Sequence, residues 1–354
     1  MRNKMVLKNL AALIVAFSFY CSSASAQVST DPVGFVNSTI AASTSSGVAK
    51  ITPFSPVMLE APSVAGTGAG SLASVTSNTI TVTSAGWTAN ALSAGQSYLH
   101  VTSGNQTGLV LRIISNTADT ATVETLGLDI AASGVASGDT FKLVVGETLL
   151  SMFGTGSATP TENVVFGGTS AQFSSRSIDL VVALDTTRQL RTYYFDTTAG
   201  QWRRSGSSSD QGNTPIPPFA GVIYYRLANT PISLSQSGSV PTKPIKYIVP
   251  ASGSVFLGRF FPQDGTLASY GLASLPGWNN TSQSGVTPTL ADKLVTTDSS
   301  GSLRSFYFNG TNWIRSGSSS PQNTSVVPAT GAGYTIRLGS GAPQILTVPL
   351  PYTL

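Results

Sequence analysis

"DLVVALDTTRQLRTYYFD" at residues 179–196 returns without a gap as "DKLVTTDSSGSLRSFYFN" at 292–309. The copies share Asp179 with Asp292, Val182 with Val295, Asp185 with Asp298, Leu190 with Leu303, Arg191 with Arg304, Tyr194 with Tyr307 and Phe195 with Phe308. Each reads as strand, Asp-led turn, strand, because β-branched and aromatic residues flank a short Thr/Ser-rich break. The likeness continues downstream: WRRSGSSS at 202–209 is answered by WIRSGSSS at 313–320, and YYRL at 224–227 by YTIRL at 334–338. A unit of roughly 110 residues is therefore used twice, over 146–250 and 251–354, which is the size of a domain and not of a solenoid repeat.

The hairpin register follows from the loops. Pairing Phe308 with Trp313 leaves Asn309-Gly310-Thr311-Asn312 as a four-residue loop, and pairing Phe195 with Trp202 leaves a six-residue loop. Both are even, so the length difference stays in the loop and each strand keeps its face. A tight turn at Asn309-Gly310 would set Arg304 opposite Arg315, a like-charge pair. The four-residue loop instead sets Phe306 against Arg315 and Tyr193 against Arg204, so an Arg–aromatic ladder beside each Trp is expected. Two uses compete for Trp202, Arg204, Trp313, Arg315, Tyr193 and Phe306: packing within the hairpins, or a flat platform for a sugar ring whose hydroxyls the polar neighbours would bond.

Upstream, SNTITVT at 77–83 is echoed by SNTADTATVET at 115–125, and Ser103-Gly104-Asn105 breaks two alternating runs in the manner of a hairpin. The expected class is all-β: a small N-terminal barrel or sandwich over 27–145, then two homologous sandwich-like or barrel-like domains at 146–250 and 251–354. Pro241-Thr242-Lys243-Pro244 reads as the linker between the repeats. Single-turn helices are expected near 148–153 and 266–270.

The first 26 residues have the layout of a secretory signal: Arg2, Lys4 and Lys8, an apolar run from Leu10 to Phe19, and Ala24-Ser25-Ala26 before Gln27. The run is too short to span a bilayer, so no transmembrane anchor is expected. Cys21 is the only cysteine and falls inside the signal, so the exported chain is no disulfide scaffold. Of 19 Lys plus Arg, removing these three leaves 16 against 15 Asp plus Glu, a balance that argues against nucleic acid as a partner. The expected location is periplasm, cell surface or extracellular space.

Little in this composition supports catalysis. The one histidine, His100, alternates with Leu99 and Val101 and is expected to face solvent, and no G-x-S-x-G motif accompanies it. Asp179 and Asp185 lie six residues apart on an extended strand, about 20 Å, which is too far for a glycosidase pair. Asx-type turns at Asp185 and Asp298 are the simpler use. No catalytic residue, metal ligand or cofactor is assigned.

The stretch STDPVGFV at 29–36 is extended by its proline and apolar at alternate positions. Pro32, Val33, Gly34, Phe35 and Val36 read either as an ordinary first strand or as a strand that adds to a neighbour's sheet edge and builds a polymer.

With Thr30-Asp31-Pro32-Val33-Gly34-Phe35 just after the signal, SGNQTGLVLRIISNTADTATVET at 103–125, SGDTFKLV at 137–144 and the Trp hairpins, the chain resembles a family of uncharacterised secreted proteins from Verrucomicrobia-type bacteria. That resemblance implies an exported bacterial protein and no activity. The functional expectation is an exported, non-enzymatic structural or cell-surface protein, assembling through its N-terminal strand. The alternative is a carbohydrate-binding or adhesion module using the Trp hairpins, with an extracellular glycan as partner.

Overall fold

Strands joined by short turns dominate the computed structural model, which describes residues 32–60, 65–94, 96–185, 187–280, 291–298, 301–327, 331–338 and 341–352. Residues 1–31, among them the segment read as a secretory signal and Ser29, Thr30 and Asp31, lie outside the described residues, as do Thr186, Ser299 and Ser300 of the Asp-led turns.

Two strands open the chain, β1 (Val33–Ile40) and β2 (Lys50–Phe54). Seven more follow: β3 (Ala69–Ser71), β4 (Ser74–Val75), β5 (Thr79–Thr81), β6 (Ser97–Val101), β7 (Val110–Asn116), β8 (Thr120–Val123) and β9 (Thr140–Val145). They form one antiparallel sheet in the order β3-β9-β6-β7-β8-β5-β4, curled like a half-barrel. A register shift between Ile113 and Ser115 in β7 adds to the curl, since an extra residue bends the strand that carries it. The concave face buries Ile80, Leu99, Leu111, Val123, Phe141 and Trp87. The two SNT stretches meet: β5 pairs with β8, and Asn116 Oδ1 accepts from the Leu92 N–H at 3.1 Å under the helix α1 (Ala91–Ala94).

His100 corrects the sequence reading, for it is buried and not turned to solvent. Alternation does place it opposite Leu99, on the face of β6 it shares with Tyr98, and Tyr98 packs with Tyr247, Phe219 and Phe260 from beyond the sheet. Periodicity gives the face of a side chain, not what later covers it.

The first repeat begins with α2 (Leu149–Phe153) and α3 (Ser170–Ser174), each a single turn closed by a capping box. Its strands are β10 (Leu180–Leu184), β11 (Leu190–Asp196), β12 (Gln201–Arg204), β13 (Val222–Arg226) and β14 (Ile232–Ser239). They make the sheet β12-β11-β10-β13-β2, so β2 adds to the YYRL strand. β1 pairs with β14 along its whole length, from Val33 opposite Ser239 to Ile40 opposite Ile232. Grouping β1 and β2 with the N-terminal unit, natural from their place in the sequence, does not match these pairings. Their partners lie some 170–200 residues away, and no local signal announces them.

After the linker come β15 (Ile245–Val249), β16 (Lys293–Thr297), β17 (Leu303–Phe308), β18 (Trp313–Arg315), β19 (Ala332–Leu338) and β20 (Gln344–Val348). The second sheet runs β19-β16-β17-β18, Phe256–Gly258 adds to β19 as β2 adds to β13, and β15 pairs with β20 as β1 pairs with β14. A short 3-10 turn at Ala268–Tyr270 stands where a single-turn helix was expected. The linker touches the curled sheet at Gly108, where φ is +93° and a Cβ would come within 1.8 Å of the Pro244 carbonyl, so only glycine fits.

Candidate functional site

Both Trp hairpins adopt the expected register: Phe195 opposite Trp202, Tyr193 opposite Arg204, Phe308 opposite Trp313 and Phe306 opposite Arg315. In the first copy Asp196 also pairs with Gln201, so its loop tightens from six residues to four. The repeated phrase ends each strand with the same turn. Gly206 and Gly317 sit at φ +75° and +79°, and the N–H groups of Gln211 and Gln322 return to the carbonyls of Trp202 and Trp313 at 2.8 and 2.7 Å.

Neither indole offers a face to a ligand. Trp202 and Trp313 are each 1 % exposed, and Tyr193 and Phe306 are fully buried. Trp202 packs on Phe153 and Phe195 and donates Nε1–H to the Gly154 carbonyl at 2.9 Å; Trp313 packs on Trp278 and Phe308. As a sugar platform the six-residue set is therefore corrected: alternation turns these rings into the cores that the N-terminal segments of each repeat cap.

The arginines also differ from expectation. Arg191 and Arg204 converge on the Asp185 carboxylate at 2.8 and 3.2 Å, and Arg304 and Arg315 on Asp298 at 3.0 and 3.5 Å. A carboxylate within reach outcompetes a ring face for a guanidinium, because charge-assisted hydrogen bonds are the stronger contact. The aspartates also close the expected Asx turns, Asp185 Oδ1 accepting from Thr187 N and Gln189 N at 2.9 and 3.0 Å and Asp298 Oδ1 from Ser302 N at 3.1 Å. Burial alone would raise the Asp185 carboxyl, but hydrogen bonds from Arg191, Thr187 and the backbone of Gln189 outweigh it and hold the group at about 2.

Asp179 lies deeper. It is 1 % exposed and pairs with the fully buried Arg226, while accepting from the Tyr224 hydroxyl at 2.9 Å, Leu227 N at 2.7 Å and Phe166 N at 2.9 Å. Burial pushes the Tyr224 phenol well up, so it remains a donor. A third polar cluster joins the curled sheet to the first repeat, where Arg188 at φ +63° reaches Glu124 at 2.8 Å beside Tyr247. Burial works against the Arg188 cation, but Tyr247 and Glu124 beside it outweigh this and raise it. The adjoining cavity, about 30 Å³, suits one or two waters and not a metabolite. Among the described residues no three His, Cys, Asp or Glu side chains converge as metal ligands would, and no helix is long and apolar enough to cross a membrane.

Two surface features remain. β1 carries Val33 and Phe35 on its outer face at 80 % and 72 % exposure, while Gly34 on the other face closes on Met58 and Val240; Pro32 precedes the strand and Val36 is half-buried within it. The second is a trough on the outer face of the first repeat's sheet, floored by Leu180 and Tyr225 and flanked by Phe173 and Arg176. No sequence motif marks the trough, since its lining comes from five separate stretches of the chain. Compared with family models, with curated proteins and with solved structures, the chain finds no match in any of the three.

Proposed function

We propose that this chain is an exported, non-enzymatic structural or cell-surface protein, built as a curled N-terminal sheet with two homologous β units, that self-associates through β1. The exposure of Val33 and Phe35 on an edge strand carries the proposal. Among the described strands β1 pairs with β14 alone, and an apolar strand edge is a template for another strand. The equivalent ribbon of the second repeat, β15 with β20, is covered instead: Ile248 and Ile345 pack into the core of the curled sheet. One ribbon thus has its face buried by a neighbouring sheet, and the other presents an apolar tip to solvent.

The non-enzymatic part is supported by what the carboxylates do. Asp179, Asp185, Asp196 and Asp298 are each committed to an arginine. A glycan platform on Trp202 and Trp313 would require both rings to leave their cores, at about 3 kcal/mol or more per ring.

Sedimentation velocity over a wide concentration range tests the proposal, comparing the exported chain with Val33→Lys/Phe35→Lys. The expected result is concentration-dependent assembly of the parent and a monomeric variant with an unchanged melting temperature. A parent that stays monomeric throughout, or a variant that assembles equally well, overturns it.

A further inference from the structure

The trough lies on the sheet face opposite Trp202 and encloses about 520 Å³. Past Gly47 and Leu227, which border both, it continues into a second depression of about 570 Å³ walled by Ser43 to Ser46, Ser177 and Asn229. An open channel of this kind suits a chain better than a single small molecule.

Its chemistry is uneven. Phe173 and Tyr225 contribute half-buried aromatic rings to the lining, Thr192 and Ser205 contribute hydroxyl side chains, and Arg176 supplies the only charge among the described lining residues of either depression. The wall is fixed: Phe173 stacks on Tyr194 at 4.5 Å between centroids, and the Thr169–Gln172 capping box sets the turn before it. Arg176 is exposed and holds a left-handed backbone at φ +54°, a conformation that costs a non-glycine residue and persists only where its surroundings impose it.

The duplication separates scaffold from site. Asp179, Asp185, Arg191, Trp202, Arg204 and Arg226 all recur in the second repeat. Three trough residues do not: the same alignment, carried upstream, puts Val286 at Phe173, Thr289 at Arg176 and Ile336 at Tyr225, whereas Val182 and Ser205 recur as Val295 and Ser316 and Thr192 becomes Ser305. Two rings and a cation have been placed on the outer face of one copy, at positions the fold itself does not need.

We propose that this trough binds a glycan chain bearing carboxylates, a uronate polysaccharide. The rings cover the C–H faces of the sugars, the hydroxyls of Thr192, Ser205 and the Thr44–Ser46 wall bond the sugar hydroxyls, and Arg176 takes a uronate carboxylate in the two-point geometry a guanidinium favours. This site lies apart from β1 and stands whether or not the chain self-associates.

Calorimetric titration of the exported chain with oligogalacturonate tests it, with a maltooligosaccharide of equal length and polyglutamate as controls. Oligogalacturonate binds, the neutral sugar binds at least tenfold more weakly, and polyglutamate does not bind measurably. Arg176→Gln weakens binding about tenfold, as loss of a charge-assisted pair should, Arg176→Lys recovers part of it, and Lys243→Gln, exposed and remote from the trough, leaves it unchanged. Melting curves establish that the variants fold. No binding of oligogalacturonate, equal affinity for the neutral sugar or for polyglutamate, or an Arg176→Gln affinity equal to the parent's overturns the proposal.

Discussion

Replacing Asp179 by alanine should be among the most damaging single changes in this protein. Arg226 is fully buried, and after the substitution its guanidinium keeps the carbonyls of Thr230, Val164 and Thr161 at 2.8, 2.8 and 3.1 Å but loses the counter-charge of Asp179. Removing one partner of a buried pair costs about 3–5 kcal/mol, and the Tyr224 hydroxyl and the Leu227 and Phe166 N–H groups lose their acceptor as well, which places the cost at the upper end. At about 2–4 °C per kcal/mol for a protein of this size, the melting temperature should fall by about 10–15 °C, read by calorimetry or by circular dichroism at 218 nm. The double variant Asp179→Leu/Arg226→Met removes the stranded cation and should recover at least half of the loss, short of all of it because the three carbonyls then lack a donor. A single variant that loses less than about 1 kcal/mol, or a double variant less stable than the single, would refute the account of this pair.

Asp185 makes stability depend on pH in a defined window. Its carboxyl is held at about 2, below its unfolded value near 4, so its contribution is complete above pH 4 and is lost as the pH falls toward 2. Because Arg191 and Arg204 are partly exposed, the contribution is about 1 kcal/mol after screening. Urea unfolding at pH 5 and pH 2.5 should show a smaller loss of stability for Asp185→Asn than for the parent, and equal losses would count against the cluster. Trp202→Ala and Trp313→Ala should each cost about 3–5 kcal/mol, with loss of near-ultraviolet dichroism. Stability within about 1 kcal/mol of the parent would mean that the rings are not core.

The local grammar of this fold was legible, and its long-range assembly was not. Even loop lengths and the penalty of setting Arg304 opposite Arg315 were enough to fix both hairpins, and Asp followed by Thr or Ser was enough to read the Asx turns. These signals sit within a few residues of what they determine. The pairing of β1 with β14, the covering of His100 and the capture of Arg204 by Asp185 depend on segments brought together only by folding. The trough is the extreme case, because Thr192 and Tyr225 share a face through sheet order and Phe173 reaches that face from α3.

The two similar sequences differ in how far away their added strands lie. In the second repeat, β15 and Phe256–Gly258 come immediately before the body they join, to β20 and β19 respectively. In the first, β1 and β2 stand in the same relation to β14 and β13, but residues 65–145 intervene and fold as the curled sheet. The strand pairings around the two similar sequences therefore correspond, and the residues of the curled sheet fall in the sequence between β2 and the strand that β2 joins. β15 meets the curled sheet through the bridge between Leu109 and Lys246 and through Ile248, which packs into that sheet's core, and both tie the second ribbon down. The same geometry leaves the first ribbon uncovered, and that asymmetry, not any motif, makes Val33 and Phe35 the residues to change first.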